Sequence, residues 1–170
     1  MMPDHAPGRG RKEHPSPRVI NRATELEARR STPGDGLRVL IVEDDTLFAN
    51  LVKSILEEVG FDVEHVTRLS SALARLARDA FDLVITDLNL SGSRGTDTVR
   101  SLRRAAPGVP VIVLSGIDDV DVAIGAIREG AEEYAVKSRF SVESLEWLVR
   151  LVLERHRVAV HLKEAATPIR

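Results

Sequence analysis

The chain contains no cysteine among its 170 residues. That excludes disulfides, thiolate zinc sites and a cysteine nucleophile, so any metal must be held by oxygen or histidine ligands. It also lacks an apolar run long enough to span a bilayer, and its Pro-, Gly- and Arg-rich N-terminus has no apolar signal-peptide core. A cytoplasmic protein without membrane contact is expected. An excess of charge of one sign is lacking: 24 Lys and Arg stand against 26 Asp and Glu, for a formal net charge of -2. Neutralising nucleic-acid phosphates needs clustered cations, so no direct nucleic-acid contact is expected. Hydrophobic residues, in contrast, make up 43% of the chain, enough for the packed core of one ordinary domain plus a tail.

Residues 1–36 differ in kind from the rest. Pro3, Pro7, Pro15, Pro17 and Pro33 with Gly8, Gly10, Gly34 and Gly36 punctuate a polar, Arg-rich segment that reads as a disordered extension. From Leu37 onward strands and helices alternate strictly. Apolar, β-branched runs predict strands over 38–42, 62–66, 83–86, 109–114 and 133–136. Between them, 3.6-residue periodicity predicts helices over 46–59 and 70–79 and a third from Thr96 to before Pro107-Gly108. A fourth is led by Asp118, Asp119 and Asp121 and closed by Gly130; a fifth runs from the N-cap Ser141 to about Arg157. This pattern predicts an α/β fold, a doubly wound five-stranded parallel sheet with five helices, over residues 37–157, followed by a tail at 158–170.

Chemistry gathers at the C-terminal ends of the strands, where open parallel sheets bind their ligands. Asp87 ends the third predicted strand, and Glu43-Asp44-Asp45 follow the first. Neighbouring carboxylates repel one another, and such a cluster persists at neutral pH only if some acids hold protons or a cation sits among them. Hard oxygen ligands in an open crevice suit Mg²⁺, which binds through one or two carboxylates plus phosphoryl oxygens. Ser115, after the fourth strand, adds a hydroxyl, and Lys137, after the fifth, adds an ammonium that can meet a phosphoryl oxygen or Asp87. Each residue alone is commonplace. Acids after strands usually cap helices, the role expected of Asp45 for the first helix and of Asp118 and Asp119 for the fourth. Convergence on four strand ends is what points to a phosphoryl site.

Four segments carry a resemblance: VLIVEDD at 39–45, DLVITDLNLSGSRG at 82–95, VIVLSG at 111–116 and GAEEYAVKS at 130–138. From about Arg38 to Arg155 the chain resembles a receiver domain of bacterial two-component response regulators. The resemblance implies a flavodoxin-like sheet of strand order 2-1-3-4-5 and a phosphoprotein of signal transduction, or of a phosphorelay. It implies that Asp87 accepts a phosphoryl group from a histidine kinase or histidine phosphotransfer protein. Glu43, Asp44 and Asp87 match the acids that hold Mg²⁺, with the Asn89 backbone carbonyl as a further ligand. Ser115 and Lys137 match the residues that contact the phosphoryl group, and Tyr134 the aromatic that switches with it. The surface of helix four, strand five and helix five would then meet a downstream protein target or a second copy in a homodimer. Trp147 and Leu151, off the core stripe of helix five, are candidates for that interface. No enzymatic activity is expected beyond limited self-phosphorylation and self-dephosphorylation.

Two positions depart from the family pattern. Ser138 follows the lysine where proline is usual after a cis bond, so a trans Lys137–Ser138 bond is expected. Ser91 stands where proline is usual, four residues after the acceptor. These departures motivate an alternative, a degenerate receiver that binds partners without phosphorylation. A remoter alternative, a haloacid-dehalogenase-type phosphatase, needs a general acid two residues after its nucleophile, and Asn89 stands there. Residues 158–170 are too few for an output domain, so a stand-alone receiver or a fragment of a larger regulator is expected.

Overall fold

The computed structural model describes residues 36–166, and the expected disordered extension lies outside the described residues except for Gly36. The chain runs β1 (Arg38–Val42), α1 (Thr46–Glu58), β2 (Asp62–Val66), α2 (Leu69–Leu76) and β3 (Leu83–Thr86). A small hairpin follows, β4 (Asn89–Leu90) and β5 (Ser93–Arg94), then α3 (Asp97–Ala105), β6 (Val111–Ser115), α4 (Val120–Arg128), β7 (Glu133–Val136) and α5 (Val142–Ala165). Five strands form one parallel sheet in the order β2-β1-β3-β6-β7. With the hairpin left out of the count, this is the expected 2-1-3-4-5 arrangement.

The central strands are near-continuous apolar runs because both faces of the sheet are covered. Val39, Ile41, Ile85, Ile112 and Leu114 pack against Val52, Ile55 and Leu56 of α1 and Leu145, Val149 and Val152 of α5. On the opposite face Leu40, Val42, Val84 and Val111 meet Ala72 of α2 and Leu102 of α3, while Val113 meets Val99 of α3 and Ala126 of α4. The chain leaves β1 toward one edge of the sheet and β3 toward the other. The loops after these two strands therefore diverge and open a crevice at the switch point.

Caps fix where the helices start. Asp45 accepts from the Leu47 and Phe48 amides at 3.0 and 3.1 Å, as expected of it, and Ser141 forms a capping box with Ser144. Asp119 caps α4, but Asp118 does not; it pairs with Arg139 instead. The segment after Asp87, for which no element is predicted, folds into the β4–β5 hairpin around a Ser91-Gly92 loop. The fourth core strand begins at Val111 rather than Val109, since Pro110 has no amide to donate to the ladder, and it includes Ser115. Helix α2 stops at Leu76, short of Asp79. Helix α5 continues to Ala165, so residues 158–165, expected as a tail, are helical. No Gly or Pro interrupts them, and Glu154–Arg157 and His161–Glu164 pair at i,i+3. Among the described residues no peptide bond is cis, so Lys137–Ser138 is trans, and Lys137–Arg139 form a turn of 3-10 helix.

Candidate functional site

Strands β1 and β3 pair with Val42 opposite Thr86, and the Asp87 amide donates to the Val42 carbonyl at 3.1 Å. The residues that follow, Glu43-Asp44 and Asp87, therefore leave the sheet side by side. Glu43 and Asp87 are buried, at 2% and 6% exposure. Two buried carboxylates need a counter-charge, and Lys137 brings one from the end of β7, two strands away. Its Nζ lies 2.6 Å from Glu43 Oε2 and 2.7 Å from Asp87 Oδ2. The ammonium also sits 4.5 Å from the centroid of the Phe48 ring, which packs edge-on against Phe140.

Backbone amides take the remaining oxygens of the two buried acids. Glu43 Oε1 accepts from the Asp45 amide at 3.0 Å, and Asp87 Oδ1 accepts from Leu88 and Asn89 at 2.6 and 3.2 Å. Burial pushes the Glu43 carboxyl above its usual range, against the Lys137 and Asp45 hydrogen bonds that lower it. For Lys137 burial acts to lower the pKa, but hydrogen bonds and charge from Asp87 and Glu43 together outweigh it, and the ammonium is held above its ordinary value.

Asp44 behaves differently. It is exposed, and its Oδ2 accepts from both the Ser91 amide at 3.1 Å and the Ser91 hydroxyl at 3.2 Å. With Asn89, Leu90, Ser91 and Arg94 it lines an open groove of about 320 Å³. Among the described residues no three His, Asp or Glu side chains converge into a ready metal cage. The cation between the buried acids is the Lys137 ammonium. The oxygen donors still suit Mg²⁺, which takes one or two carboxylates and keeps waters rather than filling an all-protein cage.

Ser115 ends β6 fully buried, with its Oγ accepting from the Ile117 amide at 3.2 Å rather than touching Asp87. Tyr134 on β7 donates its hydroxyl to the Ile117 carbonyl at 2.7 Å. Trp147 is 64% exposed and Leu151 is half-buried, both away from the acids. The sequence reading passed over His65, whose Nε2 lies 2.7 Å from the Glu43 carbonyl oxygen, and over Phe48 and Arg94. A histidine inside a strand and a phenylalanine on a helix face carry no signal of a site until the sheet order places them beside Glu43 and Lys137.

A family model described as the response regulator receiver domain matches residues 39–149. The probable transcriptional regulatory protein TcrX of Mycobacterium tuberculosis is 32% identical over 126 residues, which cover 74% of this chain and 53% of TcrX. The chain thus spans about half the length of that relative. Among solved structures, the beryllofluoride-activated NtrC4 receiver domain dimer superposes with a TM-score of 0.66 at 28% identity, covering 70% of this chain and 98% of that one. A response regulator protein from Burkholderia pseudomallei with a phosphorylated aspartic acid, calcium ion and citrate gives 0.62 at 25% identity, covering 78% and 76%.

Proposed function

The chain belongs to the response regulator receiver domain family, and from that premise we propose that it is a phosphorylation-driven signalling module with Asp87 as phospho-acceptor. The observation that carries the reading is the Lys137 ammonium shared by buried Asp87 and Glu43 at the carboxyl edge of the sheet. An Asp87 oxygen attacks the phosphorus of a phosphohistidine on a histidine kinase or phosphotransfer protein. The P–N bond breaks, its electron pair stays on the imidazole nitrogen, and an acyl phosphate forms on Asp87.

Asp44, Asp87 and the Asn89 carbonyl, with Glu43 behind them, would hold Mg²⁺, which neutralises phosphoryl charge during transfer. The phosphorylated aspartate and bound calcium of the Burkholderia pseudomallei neighbour support both assignments. A phosphoryl group on Asp87 offers Lys137 and Ser115 new acceptor oxygens. Ser115 then leaves the Ile117 amide, the loop after β6 moves, and Tyr134 moves with it. The responding surface is α4, β7 and α5, where Val120, Ile124, Ile127 and Trp147 stand exposed. A downstream protein target or a second copy docks there, and the dimeric NtrC4 receiver supports the second. Among the described residues no helix is long and apolar enough to cross a membrane, which suits a cytoplasmic module that works by protein contact. Its chemistry ends at its own phosphoryl group, so it is no enzyme toward other substrates.

Intact-mass spectrometry after incubation with acetyl phosphate tests the reading. One added phosphoryl group is expected in the presence of Mg²⁺, none without it, and none on an Asp87→Asn variant. An unmodified wild-type protein, tried also with phosphorylated histidine kinases, would point instead to a phosphorylation-independent interaction module.

A further inference from the structure

The three acids of the site differ in which oxygens remain open. Both oxygens of Glu43 and both of Asp87 already have protein partners, Lys137 on one side and backbone amides on the other. Asp44 is the exception: Oδ2 takes the two Ser91 donors, and Oδ1 has no partner among the described residues. Two donors from one residue on a single oxygen hold the carboxylate in a fixed orientation, although Asp44 lies on an exposed loop where its rotamer would otherwise be free.

Ser91 is itself well anchored. It is the first residue of a two-residue hairpin loop whose second, Gly92, has φ of 89°. Positive φ at the second position of a two-residue loop is met by glycine without strain, so Gly92 fixes the tight turn that places Ser91. The hairpin is braced by the Gly95 amide on the Leu88 carbonyl at 3.0 Å and by Ser93 Oγ on Thr98 Oγ1 at 2.7 Å. The Ser91 donors thus come from a rigid element, and a carboxylate oriented by fixed donors binds a cation without first losing rotamer freedom.

We propose that Ser91 is a positioning residue for divalent-cation binding: it pins Asp44 through Oδ2 so that Oδ1 is presented to Mg²⁺ at the mouth of the groove. The inference rests on the reading of Asp44 as a metal ligand. It gives the serine a specific role, since a proline at this position supplies neither the N–H nor the O–H that Asp44 Oδ2 accepts.

Isothermal titration of Mg²⁺ into the full chain and its Ser91→Ala, Ser91→Thr, Ser91→Pro and Asp44→Asn variants tests this, with metal-free thermal melts confirming that each is folded. Loss of an outer hydrogen-bond partner typically weakens metal affinity by about 10- to 100-fold. Ser91→Pro should therefore raise the Mg²⁺ Kd by about tenfold or more, Ser91→Ala should fall between it and wild type, and Ser91→Thr, which keeps both donors, should match wild type. An unchanged or lower Kd in Ser91→Pro and Ser91→Ala, with binding lost in Asp44→Asn, would overturn the role of Ser91 alone. Wild-type affinity in Asp44→Asn, or no Mg²⁺ binding by the wild-type protein, would overturn the ligand assignment and this inference with it.

Discussion

The Tyr134 hydroxyl donates to the Ile117 carbonyl at 2.7 Å, and this bond ties the edge strand β7 to the loop that follows β6. The Ile117 amide in turn donates to Ser115 Oγ, so Ile117 links Ser115 on one side to Tyr134 on the other. A displacement of Ser115 toward a phosphoryl group would be felt at Tyr134 through one residue. Tyr134→Phe should cost about 0.5–1.5 kcal/mol in urea unfolding, the net worth of a typical hydrogen bond. Amide exchange at residues 116–119 should quicken. A double-mutant cycle with Ser115→Ala should show a coupling of about 0.5 kcal/mol or more; strict additivity would mean that the loop does not transmit between them.

Glu43 gives the site a pH signature. Burial raises its carboxyl pKa in the folded protein above the ordinary 4.5, so between 4.5 and the folded value the native state binds more protons than the unfolded one. The stability that this group contributes is fully present below pH 4.5 and is lost as pH rises through the folded pKa. Glu43→Gln, permanently neutral, removes that dependence. The melting temperature of wild type minus that of Glu43→Gln should therefore become more negative from pH 4 toward pH 7. A flat or rising difference would show that the carboxylate, not the acid, is the form favoured in the fold.

Most of this architecture was legible in the sequence because the central strands carry near-continuous apolar runs and the helices carry plain punctuation at Gly60, Pro107-Gly108 and Gly130. Alternation then dictated a parallel sheet, and strand ends placed Glu43, Asp87 and Lys137 at one edge. The Lys137 bridge was legible only as an option, because a lysine stem reaches several partners and sheet order selects among them. The Ser91–Asp44 contact was not legible at all: the residues are 47 positions apart, and the hairpin that brings them together has strands of two residues each, too short for any period. The extra length of α5 was missed for the opposite reason. With Val158, Val160 and Leu162 exposed, the segment has no buried face to announce it, and only the lack of a breaker before Pro168 marks it as helical.

Lys137 should matter to stability as well as to signalling. Glu43 and Asp87 keep 3% and 9% of their side chains exposed and Lys137 keeps 19%. Removing one partner of a buried ion pair typically costs about 3–5 kcal/mol, because it strands an uncompensated charge. Lys137→Met should accordingly destabilise the domain by about 3 kcal/mol at neutral pH, the low end because some solvent reaches the ammonium. Adding Asp87→Asn to that variant should recover part of the loss, since one of the two stranded charges is gone. Denaturant unfolding of the single and double variants checks this; a double variant less stable than Lys137→Met would show that the two acids are not held by the shared ammonium.

Helix α5 divides into a half that holds the fold and a half that does not. Leu145, Val149 and Val152 are at most 1% exposed and pack on the sheet, whereas beyond His156 every described residue of the helix is exposed, Leu162 at 66%. Truncating a buried leucine to alanine removes its transfer free energy and leaves a cavity, for a typical loss of about 2–5 kcal/mol. Truncating an exposed leucine away from any packed contact stays within about 0.5 kcal/mol. Leu145→Ala should therefore lower unfolding stability by at least about 2 kcal/mol and Leu162→Ala leave it unchanged, when both are measured dilute enough to hold the chain monomeric. If Leu162→Ala lowers stability in a way that grows with protein concentration, the exposed half of α5 is buried between copies, because only association makes stability depend on concentration.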